Sequence, residues 1–103
     1  MTTTKDKKTI KRLFELGDMV QINVSFCNEP KGVKAIVYEE YNLGNEEGIS
    51  IITENGINIG GFSPDEQKQY LKPISKTRCN YQFENVMKLD HDFKKEIKPY
   101  FNY

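Results

Sequence analysis

At 103 residues the chain has the length of one domain and too little for two, and folding should bury roughly two-thirds of the unfolded chain's surface. Fifteen basic and fifteen acidic side chains cancel, which removes the strong overall field that nucleic-acid binders and membrane-surface proteins carry. The cancellation hides an asymmetry: residues 1–14 hold a net of +4, residues 15–76 a net of −5 and residues 77–103 a net of +1.

Residues 1–8 are polar, without a hydrophobic period, and are expected to be disordered up to Ile10. Ile10, Leu13 and Phe14 recur at i, i+3 and i+4, which fits either one or two helical turns lying on the domain or a basic solubilising tail. After a break at Gly17-Asp18, Val20, Ile22, Val24 and Phe26 alternate with Gln21, Asn23 and Ser25, the period of a strand with one buried face. Turn residues at 28–32 lead into a second strand, in which Val33, Ala35 and Val37 face inward and Ile36 and Tyr38 outward. Residues 42–48 predict a polar loop.

The segment 49–62 carries a hairpin at Asn55-Gly56 with two possible registers. A two-residue turn would place Glu54 opposite Ile57 and split the isoleucines between faces. A three-residue loop with Gly56 in a left-handed bulge position pairs Thr53 with Ile57 and Ile51 with Ile59, and puts Ile49, Ile51, Ile57 and Ile59 on one face. A one-residue slip reverses every side chain, so the burial pattern favours the bulged loop and leaves Ile52 outward, in need of a cover. Gly60-Gly61 marks a bend or a close backbone approach.

Ser63-Pro64-Asp65-Glu66 is an N-cap, a proline at the first helical position and a glutamate placed to reach back, predicting a helical turn from Pro64 to about Tyr70. Residues 71–74 read as a short closing strand, with Pro73 favouring an edge. Beyond a polar connector, Phe83, Val86, Met87, Phe93, Ile97, Tyr100 and Phe101 recur mostly at three- and four-residue intervals, as one helix broken near Leu89 or two short ones. That apolar stripe is expected to pack on the Ile36/Tyr38/Ile52 side of the sheet; the alternative is a docking surface for a partner or a second copy.

This order of elements resembles the SH3-like small barrels. Gly17-Asp18-Met19-Val20 and Gly32-Val33-Lys34-Ala35-Ile36-Val37 are similar to strand openings of KOW-type and Tudor-type barrels, and residues 63–74 resemble the helical turn before their last strand. The resemblance implies a mainly β, five-stranded barrel over residues 16–76, with a basic lead-in at 1–15 and a helical extension at 77–103. It raises binding over chemistry without choosing a ligand. The chain has no tryptophan for a polyproline groove, and its barrel segment is acidic where KOW domains are basic. Tyr38, Tyr41, Phe62 and Tyr70 are candidates for an aromatic cage of the Tudor kind.

No catalytic constellation emerges. His91, the only histidine, is flanked by Asp90 and Asp92 without ligand-spaced partners, so a solvated cluster is expected and no metal site. Glu39-Glu40 and Glu46-Glu47 lack the order of a calcium loop and read as a solvated acidic rim. Cys27 and Cys79 lack CxxC spacing and are expected to be reduced, or paired with each other if the protein is exported; residues 1–15 hold no apolar leader, and a cytoplasmic location is expected. The expected function is a non-catalytic protein-interaction module without cofactor, with Ile36, Tyr38, Tyr41, Ile52, Phe62 and Tyr70 as candidate partner contacts. One alternative is a nucleic-acid-binding accessory domain holding phosphates with Lys7, Lys8, Lys11 and Arg12, which the acidic barrel disfavours. Another is a small inhibitor or immunity-type protein. Oligomeric state stays open.

Overall fold

The computed structural model describes residues 9–25 and 28–101; Lys7, Lys8 and Cys27, the Phe26 end of the expected first strand and the expected disorder of residues 1–8 lie outside them. The Asn55-Gly56 hairpin takes the three-residue loop. Gly56 sits at φ +83° and its N–H donates to Thr53 O at 2.9 Å, while the Thr53 N–H donates to Ile57 O at 2.9 Å. Thr53 Oγ1 also accepts from the N–H groups of Asn55 and Ile57. Strands β3 (Glu46–Thr53) and β4 (Asn58–Phe62) therefore pair Ile51 with Ile59. Ile49 and Ile51 enter one cluster and Ile52 the opposite one. Ile57 departs from the expected inward set: it lies at the hairpin tip, before β4 begins, and is 45% exposed.

Two expected boundaries change. Strand β1 (Asp18–Ile22) stops short of Val24: the Asn23 N–H still donates to Tyr70 O at 2.7 Å, one rung beyond Ile22 opposite Leu71, and Val24 is exposed. Strand β2 (Lys34–Leu43) and β3 run on through the expected loop and pair Leu43 with Glu46. Only Gly44-Asn45 remains as the turn, with Gly44 at φ +72°, the positive value a tight hairpin needs at its first central position.

Helix α1 (Pro64–Tyr70) starts at a complete capping box: Glu66 N–H donates to Ser63 Oγ, and Ser63 N–H donates to Glu66 Oε1 at 2.9 Å. It leads directly into β5 (Leu71–Lys76), which returns beside β1, so the antiparallel sheet has the order β4-β3-β2-β1-β5.

The expected closed barrel does not form. The sheet is open, with β4 and β5 as its edges, and α1 packs across the space between them against β3, β4 and β5. The fully buried Gln67 amide donates to Phe62 O at 3.0 Å and Glu47 O at 3.1 Å and accepts from the Leu13 N–H at 2.8 Å. The Phe62 carbonyl at the end of β4 is thus met by a side chain and not by a neighbouring strand.

The lead-in is extended, which corrects the helical reading of Ile10, Leu13 and Phe14. Its N–H groups bond elsewhere: Ile10 to Asn45 O, Arg12 to Glu47 Oε1, Leu13 to Gln67 and Leu16 to Glu40 Oε2. Ile10 also forms a parallel bridge with Glu46. Phe14 drops into the concave cluster with Val20, Ala35, Val37, Ile49, Ile51, Phe62 and Leu71.

The convex face is closed by the C-terminal segment. Helix α2 (Val86–Asp92) is capped by Asn85, whose Oδ1 accepts from Lys88 N–H at 2.8 Å, and continues through one π-helical turn (Phe93–Ile97) and a 3₁₀ turn (Lys98–Phe101). Leu89, Phe93, Ile97 and Phe101 face Met19, Ile36, Tyr38 and Ile52. Winding changes at Phe93, not at Leu89, which is a fully buried anchor. At about 1.5–3 kcal/mol per large apolar side chain buried, this second core is integral to stability.

Candidate functional site

The expected partner surface is divided between the two cores. Ile36, Tyr38 and Ile52 lie beneath the C-terminal segment, with the Phe83 ring 4.9 Å from that of Tyr38. Phe62 is buried in the concave cluster and Tyr70 packs against that cluster. Tyr38 therefore sits on the opposite face of the sheet from Phe62 and Tyr70, and the four aromatics do not assemble into a cage. Tyr41 is half-buried, its hydroxyl close to Gly61. Burial pushes the Tyr38 phenol above its ordinary pKa, and Ser50 Oγ donates to Glu39 Oε1 at 2.9 Å.

The basic and acidic surfaces expected from the sequence meet each other. The Arg12 guanidinium lies 3.2 Å from Glu40 Oε1 and 3.3 Å from Glu47 Oε1, its side chain only 27% exposed, and Lys11 Nζ approaches Glu47 at 3.9 Å. With Glu39 bonded to Ser50, three of the four rim glutamates are engaged internally. Arg12, a candidate phosphate ligand, is thus paired with two carboxylates of its own chain.

The largely apolar concavity lies between the lead-in and β5. Leu13, Phe14, Met19, Leu71, Pro73 and Ile74 line a groove of about 530 Å³, with Lys68, Ser75 and an Asp18–Lys76 pair at its margins. Leu13 (49%) and Ile74 (42%) are exposed large apolar side chains, unlike Phe14 and Leu71 beneath them. Ile74 is thrown outward by a bulge: β1 pairs Met19 with Ser75 and Val20 with Pro73, leaving Ile74 as the extra residue. Asp18 is fully committed, its Oδ1 accepting from Lys76 Nζ at 2.9 Å and its Oδ2 from the Glu15 N–H at 3.0 Å. Lys68 has no ion-pair partner among the described residues. Sequence reading missed this site because its walls come from residues 13–14 and 68–76; the usable signals were Pro73 as an edge marker and the adjacent apolar pair Leu13-Phe14.

A second cavity of about 540 Å³, lined by Asn80, Tyr81, Glu84, Lys88, Asp92 and Glu96 among others, is polar and internally paired. Tyr81 Oη donates to Asp92 Oδ2 at 2.8 Å, Lys88 Nζ stands 3.6 Å from Asp92 and 4.0 Å from Glu84, and His91 Nδ1 is 3.1 Å from Asp92 Oδ1. Contacts with His91 and Tyr81 hold the Asp92 carboxyl below its usual range, and burial followed by Asp92 pushes the Tyr81 phenol well up. Cys79 is a buried free thiol, raised in pKa by desolvation. Among the described residues no group of three His, Cys, Asp or Glu side chains could hold a metal, and no helix is long and apolar enough to cross a membrane.

No family model matches the chain, and neither the curated proteins nor the solved structures include a significant match to it.

Proposed function

We propose that this protein is a non-catalytic protein-interaction module that docks an extended segment of another protein in the groove between its lead-in and β5. The strand order β4-β3-β2-β1-β5 in an open sheet, with one helical element before the last strand, supports the resemblance to SH3-like domains on which this reading draws. The observation that carries the reading is the pair Leu13 and Ile74, exposed apolar side chains flanking a concavity beside an open sheet edge. An inhibitor or immunity-type role is a special case of the same binding. The nucleic-acid reading, with Lys7, Lys8, Lys11 and Arg12 as phosphate ligands, is disfavoured by the pairing of Lys11 and Arg12 with Glu40 and Glu47.

Selection of a displayed random peptide library tests this. The wild-type protein should enrich a consensus, Leu13→Asp/Ile74→Asp should lose it, and Met87→Asp, an exposed position on the C-terminal segment, should keep it. Absence of any consensus, or its survival in the double variant, would refute the proposal. Oligonucleotide binding at low salt that is indifferent to Leu13→Asp/Ile74→Asp would favour the basic lead-in instead.

A further inference from the structure

Building on the docking reading, we infer that the groove's occupant is an extended peptide carrying a carboxylate next to an apolar anchor, read by Lys68 and held through side chains, not by strand addition. β5 is the nearer open edge, and it is guarded in three ways. Lys72 places a charge on it, Pro73 supplies no N–H, and the bulge at Ile74 breaks its register with any incoming strand. The other edge is interrupted as well: opposite Ile49–Ile51, β4 carries a register shift at Gly60-Gly61, with Gly61 at φ +84°. Neither edge offers a long regular ladder, so recognition falls to the groove's side chains.

The charges along that groove differ in availability. Lys76 and Asp18 neutralise each other at 2.9 Å, and Asp18's remaining oxygen is taken by the Glu15 N–H, so this end has no net demand. Lys68, in the last turn of α1, faces the same groove without an ion pair among the described residues. An uncompensated cation beside the apolar surface of Leu13, Phe14 and Ile74 complements a carboxylate adjoining an apolar side chain. Six residues of β5 span about 16 Å, enough to lie alongside about five extended residues of a ligand.

Library selection on Lys68→Glu alongside wild type distinguishes the outcomes. The wild-type consensus should hold Asp or Glu at a fixed distance from an apolar residue, and Lys68→Glu should replace the acid by Lys or Arg. Affinity for the wild-type consensus peptide should fall about three- to tenfold in Lys68→Glu, the value of one partly exposed pair turned from attraction to repulsion, and less in Lys68→Gln. Exchanging the peptide's acid for lysine should restore binding to Lys68→Glu. N-methylation of alternate peptide amides should leave affinity within threefold. A consensus without an acid, or one unaltered by Lys68→Glu, overturns the inference while leaving the docking reading intact. Loss of binding on amide methylation overturns the side-chain mode, and no consensus at all overturns both.

Discussion

The Leu13 N–H donates to Gln67 Oε1 at 2.8 Å across 54 residues of sequence, and this bond joins the two walls that define the groove. One wall is the extended lead-in, the other is α1 and the strand it launches. Gln67 makes the same amide serve β3 and β4 through Glu47 O and Phe62 O, so a single buried side chain ties the lead-in, β3 and β4 to α1.

Gln67→Met keeps the volume and removes all three hydrogen bonds. Two carbonyls and one N–H would be left without their partner, for an expected destabilisation of about 2–4 kcal/mol. Urea unfolding followed by far-UV circular dichroism measures it. A loss below 0.5 kcal/mol, on the order of a neutral surface change, would show that water replaces the amide without penalty.

Gly17 combines φ +87° with a virtual Cβ position 2.7 Å from the Cys79 carbonyl oxygen. Its own carbonyl accepts from the Thr77 N–H at 2.9 Å and Thr77 Oγ1 at 2.7 Å, so the backbone has little room to yield. Gly17→Ala is expected to cost about 2–4 kcal/mol in the same unfolding measurement, from left-handed strain together with the displaced connector. Gly32 has a positive φ with nothing near its virtual Cβ, and Gly32→Ala should cost less.

The second core makes the C-terminal segment part of the domain. Leu89→Ala and Ile97→Ala each remove a fully buried side chain and should cost about 2–5 kcal/mol, whereas Met87→Ala, 83% exposed, should be near neutral. Thermal denaturation of the three variants decides the matter. Equal melting temperatures would mean that the segment is dispensable to the sheet.

Much of this organisation is legible in the residues. The inward Ile49 and Ile51 and outward Ile52 follow from alternation once the loop length is settled, the Ser63–Glu66 cap marks its helix, and Phe93, Ile97 and Phe101 of the tail's stripe cover the Ile36/Tyr38/Ile52 face, whereas its Val86 and Met87 stay exposed and Leu89, read as an interruption, is buried there. What local patterns could not carry is the competition for backbone groups by distant partners. The i, i+3, i+4 apolar spacing of Ile10, Leu13 and Phe14 yields to bonds with Asn45, Glu47 and Gln67. The groove was invisible for the same reason, since its walls come together only through those contacts.

Acid should loosen the C-terminal network through Asp92. Folding lowers its pKa by contact with His91, Tyr81 and Lys88, so the native state binds that proton less readily than the unfolded chain. The stabilisation is complete above about pH 4 and is lost as pH falls through the lower native value. Wild type should therefore exceed Asp92→Asn in stability at neutral pH, and the gap should shrink below about pH 4. A gap unchanged well below that pH would rule out the carboxylate as its source.

The most direct measurement of the central claim is a ¹H–¹⁵N titration of the full chain with a library-selected peptide. Docking in the groove requires the largest shift changes at Leu13, Phe14, Lys68, Leu71, Ile74 and Lys76, and their disappearance in Leu13→Asp/Ile74→Asp. Changes centred on the cavity of Tyr81, Lys88 and Asp92, or on Lys11 and Arg12, would contradict it.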